Sequence, residues 1–144
     1  MRQGKLTDGQ ALDYRQTPVS QSTVRRSYAI WRTQQGLAIC CDIPSCQLHA
    51  PGQSWNGKPV AMIFDHIDGS RYNSRPSNLR LVCPNCNSQL PTHGGGNKGR
   101  IQNPTSDSYQ IVDRKSGRRD VVVMLTGIVA TGVAGSLGVA REKP

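Results

Sequence analysis

Aromatic side chains are scarce in this chain of 144 residues. Phe, Trp and Tyr together make up 5% of the sequence, with one Phe and two Trp, so the hydrophobic core must be small. A domain with so little core often needs a metal ion or a disulfide to stabilise it. The length fits one domain with extensions, or one small domain and a fragment of another.

Acidic residues are also few, and the chain is therefore strongly basic. Nine Asp and Glu stand against 18 Lys and Arg, which gives a net charge of +9. Such an excess favours a polyanionic partner, with nucleic acid first and an anionic membrane surface second. The plainer alternative is a soluble basic protein without such a partner.

The N-terminus lacks the apolar segment of a secretory signal, because Met1–Lys5 leads into polar sequence. We therefore expect a cytoplasmic protein in a reducing environment. Paired cysteines in such an environment are metal ligands more often than disulfides.

The five cysteines form two close pairs and leave one over. Cys41 and Cys46 are separated by four residues, and Cys83 and Cys86 enclose a Pro-Asn dipeptide. Four thiolates suit one structural zinc ion in a closed tetrahedral site. The fifth cysteine, Cys40, could replace Cys41 as a ligand or serve as a small buried hydrophobe.

Residues 1–36 form an N-terminal arm and a basic helix. The first 21 residues are polar and without periodicity, which predicts a mobile arm. Ser22 and Thr23 then open a predicted helix that ends near Gly36. One face of this helix is apolar, with Val24, Tyr28 and Trp31. Its arginines lie on other faces, where they would either contact phosphate or face solvent: Arg25, Arg26 and Arg32.

Residues 37–100 form the core of the predicted fold. An apolar run at 60–64 predicts a strand, a polar loop follows from 68 to 77, and 79–82 predict the return strand. Residues 84–90 can form a short helix, since Pro84 is tolerated in a first turn. Residues 94–100 are rich in Gly and basic, and indicate a flexible exit.

Residues 101–144 form a C-terminal extension. Residues 109–112 predict a strand and 115–117 a turn. The uncharged segment 121–140 has three interpretations. The spacing of Ala134, Gly138 and Val139 resembles the tight turn of a truncated helix-turn-helix. The alternatives are plain core and, by length alone, a membrane span.

The Asp65-His66 dipeptide between the two cysteine pairs carries the predicted chemistry. Phosphodiester hydrolysis needs a base to deprotonate water and a divalent cation to neutralise developing charge. His66 is the natural base, and Asp65 supplies a hard oxygen ligand. Asn87, directly after Cys86, adds an amide oxygen that suits a weakly held magnesium ion.

One geometric condition applies to this pair. Adjacent residues on a regular strand point to opposite faces. Asp65 and His66 can therefore serve one site only if the strand ends or bends there, or if the metal lies at its edge. Asp68 and Gly69, which follow, predict only a turn.

The run from Asp65 to Gly69, together with the run from Asn78 to Asn87, resembles the HNH endonuclease family. The resemblance is to its zinc-containing bacterial and phage branch, and it extends from about residue 38 to residue 100. Asn stands at the third motif position, which is often His, so the chain resembles an H-N-N variant.

The resemblance implies an α+β fold with a small beta-beta-alpha-metal core, a four-cysteine zinc site, an N-terminal helix and a C-terminal extension. It implies that His66 is the general base and that Asp65 and Asn87 hold a catalytic metal. Asn78 would brace the hairpin loop and so orient His66. Asn at the third position favours magnesium or manganese over softer ions.

Basic residues around the motif are candidates for phosphate contacts, which position a duplex without reading its sequence. Arg80 is the best of them, because its strand abuts the site, but it could equally be a solvated strand residue. The full set is Arg71, Arg75, Arg80, Lys98 and Arg100.

The sequence therefore predicts a metal-dependent DNA endonuclease of phage or mobile-element origin. DNA is the expected partner, and a membrane is not, apart from the weak alternative at 121–140. Nicking fits a monomer, whereas a double-strand cut would need a homodimer or two successive nicks. The alternative is a non-catalytic zinc-ribbon DNA-binding module, which accounts for the cysteines and the charge but not for Asp65-His66.

Overall fold

The computed structural model describes residues 6–124 and 139–140. Helices and small antiparallel sheets are mixed along the chain, which confirms the α+β prediction at that level. The elements are α1 (Asp8–Ala11), α2 (Gln21–Gln34), β1 (Ser54–Trp55), β2 (Lys58–Pro59), β3 (Ile63–His66), β4 (Leu79–Val82), α3 (Pro84–Gln89), β5 (Ile101–Gln102), β6 (Ser108–Val112), β7 (Arg119–Val123) and β8 (Val139–Ala140).

Helix α2 begins two residues earlier than predicted, with Ser20 as its N-cap. The Ser20 Oγ accepts a hydrogen bond from the amide of Thr23 at 3.3 Å. Val19 and Val24, on either side of this cap, both pack into the main core, as in a hydrophobic staple. The predicted apolar face is confirmed, because Val24 and Tyr28 are buried and Trp31 packs against the same core.

The prediction for Arg32 was wrong, because this side chain is 4% exposed and neither faces solvent nor is free for phosphate. Its two Nη atoms donate to the Asp42 carboxylate at 2.7 and 2.9 Å. Arg32 lies four residues after Tyr28 and therefore on the same side of the helix. The pair ties α2 to β4, since Asp42 also accepts from the amide of Leu81.

The N-terminal arm is docked against the core, so the prediction of a mobile arm was wrong for its described part. Ala11, Leu12 and Tyr14 are buried. The Ser27 Oγ on α2 donates to the Asp8 carboxylate at 2.7 Å. These apolar side chains are too few to show a periodicity, yet together they cover the edge of the core.

The central feature is an antiparallel hairpin of β3 and β4, followed directly by α3. Ile63 pairs with Val82 and His66 with Leu79. The strand was predicted at 60–64 but occupies 63–66. Cys83 begins the turn into α3, so β4 offers no partner to residues 60–62. The return strand at 79–82 and the short helix are confirmed.

The C-terminal strands form a second sheet in the order β5-β6-β7-β8. The predicted strand at 109–112 and the turn at 115–117 are confirmed. The segment 125–138, which holds most of the proposed helix-turn-helix or membrane span, lies outside the described residues. Its flanks pair as strands, Val121 with Ala140 and Val122 with Val139. Among the described residues, no helix has both the length and the apolar character to cross a bilayer.

The basic exit at 94–100 folds back onto the hairpin loop instead of leaving it, which corrects the prediction of a flexible exit. The side chain of Asn97 lies so close to Gly69 that a Cβ there would meet its Oδ1 at 2.1 Å. Gly69 also has a φ of +79°. Both the space and the backbone at this contact therefore require glycine.

Candidate functional site

Four cysteines come together between the hairpin and the loop before it. The Sγ atoms of Cys41, Cys46, Cys83 and Cys86 all lie within 4.8 Å of one another. Cys46 Sγ and Cys83 Sγ are 3.7 Å apart, and a tetrahedral ion with bonds of about 2.3 Å needs a separation of about 3.8 Å. The quartet therefore fits a zinc ion. Cys40 is buried but lies outside this group.

Backbone amides point at three of these sulfur atoms. Leu48 N donates to Cys46 Sγ at 3.3 Å, Cys83 N to Cys41 Sγ at 3.4 Å, and Cys86 N to Cys83 Sγ at 3.4 Å. Such donors stabilise thiolates, which are the form that binds metal. Burial raises the pKa of the Cys83 thiol, but the hydrogen bond from the Cys86 amide and those from the neighbouring thiols outweigh it, so this pKa lies below its ordinary value.

His66 is the last residue of β3 and is 7% exposed. Its ring packs edge-on against Phe64, with centroids 5.2 Å apart. Burial lowers the pKa of His66 to about 4, because desolvation disfavours the charged imidazolium. The Asp65 carboxylate opposes this shift and Arg71 reinforces it. The imidazole is therefore neutral at pH 7.

The two nitrogens of His66 have different surroundings. Nε2 lies 3.4 Å from the Ser74 Oγ. Nδ1 has no protein partner among the described residues. Nε2 is therefore the ring nitrogen that the fold holds.

Asp65 leaves the strand on the face opposite to His66, as the alternation of a strand requires. Its Oδ2 accepts from Arg80 Nε at 2.8 Å, across the hairpin. The strand ends at His66, and a turn closes with the Gly69 amide donating to the His66 carbonyl. The strand therefore ends at this pair, which is one of the arrangements that the sequence required, but no hydrogen bond among the described residues joins the two side chains.

Asn78 connects the two ends of the hairpin loop, residues 67–78. Its Oδ1 accepts from the Asp68 amide at 3.2 Å. Its Nδ2 donates to the Asp68 carboxylate at 2.9 Å and to the Asn73 carbonyl at 2.8 Å. Asn78 is fully buried, and its carbonyl accepts from the amide of Ile67, the residue after His66. Through these contacts, Asn78 joins the start of the loop to its end.

Asp68 is more than the turn residue predicted from the sequence. Its carboxylate accepts from the Ser70 amide, from Asn78 and from the Tyr109 hydroxyl on β6. Asn73 Nδ2 also donates to the Tyr109 hydroxyl, at 3.2 Å. Burial raises the pKa of Asp68, against the effect of these hydrogen bonds. The C-terminal sheet thus reaches the loop that follows His66.

Sequence reasoning missed Tyr109 altogether and underrated Asp68. A signal for Asp68 existed, since an acid two residues after His66 is conspicuous in a chain with nine acids. Tyr109 carried no such signal, because it lies 41 residues from Asp68, in a strand that was predicted but given no part in the site. Tyr14, also missed, stacks on Tyr109 with ring centroids 5.9 Å apart.

Asn87 lies on α3, one residue beyond the cysteine cluster. Its Nδ2 is 3.2 Å from Nδ1 of His93, in an exposed contact. Its Oδ1 has no hydrogen-bond partner among the described residues, so this oxygen could serve as a ligand for a hard cation. No hydrogen bond in that part of the chain links Asn87 to Asp65 or His66.

The candidate DNA contacts fall into two groups. Arg75 and Arg80 are engaged in ion pairs, with Asp13 at 3.0 Å and Asp65 at 2.8 Å. Arg100 lies near Asp68 and within 3.5 Å of the Asn97 side chain. The remaining two are exposed and have no ion-pair partner among the described residues: Arg71 and Lys98.

Comparison with known proteins gives one informative match. No family model and no solved structure matches the chain. The H-N-H endonuclease F-TflIV of Escherichia phage T5 is 42% identical over 59 residues, which are 41% of this chain and 26% of that protein. The match spans about a quarter of the relative's length. It confirms the resemblance of this chain to the HNH endonuclease family.

Proposed function

We propose that this protein is a metal-dependent DNA endonuclease of the HNH type, which hydrolyses phosphodiester bonds. The observation that carries the proposal is His66, a neutral imidazole at the end of a hairpin whose loop is held by Asn78. The similarity to a phage H-N-H endonuclease supports it. A phage or mobile element is the origin that this similarity favours.

In this proposal, His66 takes a proton from water through Nδ1, the ring nitrogen that has no partner among the described residues. The O–H bond of water breaks, its oxygen attacks phosphorus, and the bond from phosphorus to the leaving oxygen breaks. An imidazole with a pKa near 4 is neutral but weakly basic. An anionic phosphate beside it would raise that pKa towards neutrality and so strengthen the base as substrate binds.

The remaining residues hold the site in register. Asn78 and Asp68 fix the loop after His66, and the Ser74 Oγ lies beside Nε2. The Asp65 Oδ1 and the Asn87 Oδ1 are the hard oxygen atoms that would hold Mg²⁺ or Mn²⁺, which would stabilise charge on the phosphate and leaving oxygen. Arg80 holds the other oxygen of Asp65 and so orients the carboxylate.

The cysteine quartet would hold a structural zinc ion, because its sulfur spacing and amide donors suit a closed tetrahedral site. That ion would fasten β4 and α3 to the preceding loop, and so fix the helix that carries Asn87. The proposed organisation is an N-terminal region at 1–36, the nuclease core at 37–100 and a C-terminal extension at 101–144.

DNA binding would use the two exposed cations, Arg71 and Lys98, with Arg75, Arg80 and Arg100 joining where phosphate displaces their present partners. A single site of this kind makes a nick. Cutting both strands would take two copies of the chain or two successive nicks.

Plasmid cleavage tests the proposal. Supercoiled plasmid is incubated with wild type and with His66→Ala in Mg²⁺, Mn²⁺ and Ca²⁺, with zinc content and DNA binding measured on the same preparations. Loss of a general base should lower the cleavage rate by about 10²- to 10⁴-fold. His49→Ala removes an imidazole outside the hairpin and is the control; because His49 Nδ1 lies 2.6 Å from the Cys41 carbonyl, the control is read on protein whose zinc content matches wild type, and it should then cleave normally.

Equal cleavage by wild type and His66→Ala, independent of metal, would refute the proposed mechanism. Salt-sensitive DNA binding without cutting in any divalent ion would instead identify a non-catalytic zinc-ribbon module. That module needs the cysteines and the positive charge but gives no role to the buried imidazole.

A further inference from the structure

Trp55 is the most exposed large hydrophobic side chain among the described residues, at 72%. It lies on β1, in the loop between the two cysteine pairs. The proposed hydrolysis does not use it, and it makes no hydrogen bond or aromatic contact within the described chain. A single exposed apolar side chain is ordinary on a protein surface, so a binding role depends on what surrounds the ring.

A tight hairpin holds this ring in place. Trp55 pairs with Lys58 across a two-residue turn. Asn56 and Gly57 both have positive φ, at 50° and 73°, which is the backbone of a type I′ turn. The Val60 amide extends the pairing by donating to the Gln53 carbonyl at 3.1 Å. The ring is therefore presented on a defined backbone, and binding would cost little ordering of the chain.

The ring forms one wall of a groove of about 430 Å³ between this hairpin and the start of α3. The walls are mainly apolar, with Lys58 and the Asn85 amide as polar groups; Leu48, Pro59, Val60 and Pro84 complete them. Asn85 is two residues before Asn87 on the same helix. The groove is thus next to the element that carries a proposed metal ligand.

Charge around the groove favours an anionic occupant. None of the residues that line the groove is acidic, and Lys58 pairs with Trp55 across the hairpin. An apolar groove with a cation at its rim suits a flat ring attached to a phosphate. Bases stack on aromatic side chains while basic residues follow the backbone, as in single-stranded nucleic-acid binding.

We propose that Trp55 stacks on an unpaired nucleobase of the DNA substrate, while Lys58 contacts the adjoining phosphate. The inference rests on the proposed function for the identity of the substrate. Bases inside an intact duplex are covered on both faces by their neighbours. The contact therefore selects DNA with an unpaired or displaced nucleotide near the scissile bond.

Binding is measured in the His66→Ala background without added Mg²⁺, so that cleavage does not interfere. Two fluorescently labelled oligonucleotides of equal length are compared by anisotropy, one a full duplex and one with a short single-stranded gap. Trp55→Ala should weaken binding to the gapped DNA about tenfold, since one base stack contributes on that order. The full duplex should change less than about twofold, because its bases offer no free face.

Trp55→Phe should keep most of the affinity for gapped DNA but lose the quenching of intrinsic fluorescence that stacking causes. The control is Ile39→Ala, which trims another exposed apolar side chain, 53% exposed, outside the groove. Lys58→Gln should lower the slope of log affinity against log salt by about one.

Equal loss on both DNAs, or no loss with Trp55→Ala, would overturn the inference. Preference for gapped DNA in a protein that never cuts would leave the inference standing and would remove the nuclease proposal. Metal-dependent cutting with no effect of Trp55→Ala would support the nuclease proposal and would remove the inference about Trp55.

Discussion

Two regions hold the hairpin loop of the candidate site, and they do so by different physical means. At the base of the hairpin, four cysteines and the main core of nine buried residues fasten β4 and α3. At the far end, Tyr109 and Val122 of the C-terminal sheet join Tyr14 and Met124 in a smaller buried cluster, and the Tyr109 hydroxyl donates to Asp68. A cysteine quartet suited to a metal ion fixes the first region, and hydrogen bonds to one partly buried carboxylate fix the second.

The catalytic candidate and its support come from separate stretches of chain. His66 belongs to the hairpin, but the loop behind it is held by Asp68, which is held in turn by Tyr109. Tyr14 of the N-terminal region stacks on Tyr109 and joins the same cluster. The extension is therefore built into the site that the motif defines.

Removing a cysteine ligand should have the largest effect. Cys83→Ser should lose the zinc ion and unfold the core, because zinc binding on the order of 10 kcal/mol is coupled to folding. Metal analysis and circular dichroism melting check this. Cys40→Ser, which changes a buried cysteine outside the quartet, is the control and should keep its zinc. Wild-type protein that is folded and free of zinc would contradict the prediction.

Removing the hydrogen bond from Tyr109 to Asp68 should lower the free energy of unfolding by less than loss of a cysteine does. Tyr109→Phe removes one hydrogen bond from the partly buried Asp68 carboxylate, which should lower the free energy of unfolding by about 1 to 3 kcal/mol and slow cleavage. Urea unfolding and plasmid nicking measure the two effects. Tyr72→Phe is the matched control, since its hydroxyl has no hydrogen-bond partner among the described residues. If both variants behave alike, the sheet does not hold the loop.

The lowered pKa of His66, which lies between the two regions, should make the free energy of unfolding depend on pH. The pKa of His66 falls from 6.5 unfolded to about 4 folded. Its contribution to stability is therefore complete above pH 6.5 and is lost as pH falls towards 4. The stability difference between wild type and His66→Gln should shrink by about 2 kcal/mol between neutral and mildly acidic pH. An unchanged difference would mean that the imidazole is not buried in solution.

Surface cations should have the smallest effect on stability. Arg71→Gln and Arg75→Gln should each change the free energy of unfolding by less than about 1 kcal/mol, because exposed ion pairs contribute little. Their effects on DNA should differ. Arg71→Gln should lower the salt slope of binding by about one, and Arg75→Gln by less, since Asp13 already holds Arg75. If both variants lower the salt slope equally, the ion pair with Asp13 does not keep Arg75 from the phosphates.

Prediction from the sequence succeeded where residue type and local spacing alone decide the structure. The cysteine pairs, the return strand at 79–82, the short helix after it and the apolar face of α2 all followed from spacing. Prediction failed where a contact joins distant segments. Arg32 looked like a surface residue but pairs with Asp42, and the N-terminal arm looked mobile but is docked by Ala11 and Tyr14.

The sequence by itself determined the chemistry of this protein: which side chains could ligate a metal, which could accept a proton, and which sign of partner the charge favours. Those properties belong to single residues and short spacings. The tertiary structure alone decided that Cys41 and not Cys40 joins the quartet, that the pKa of His66 is lowered, and that Tyr109 holds Asp68. Burial and long-range hydrogen bonds arise when segments far apart in the chain pack together, and no local pattern encodes them.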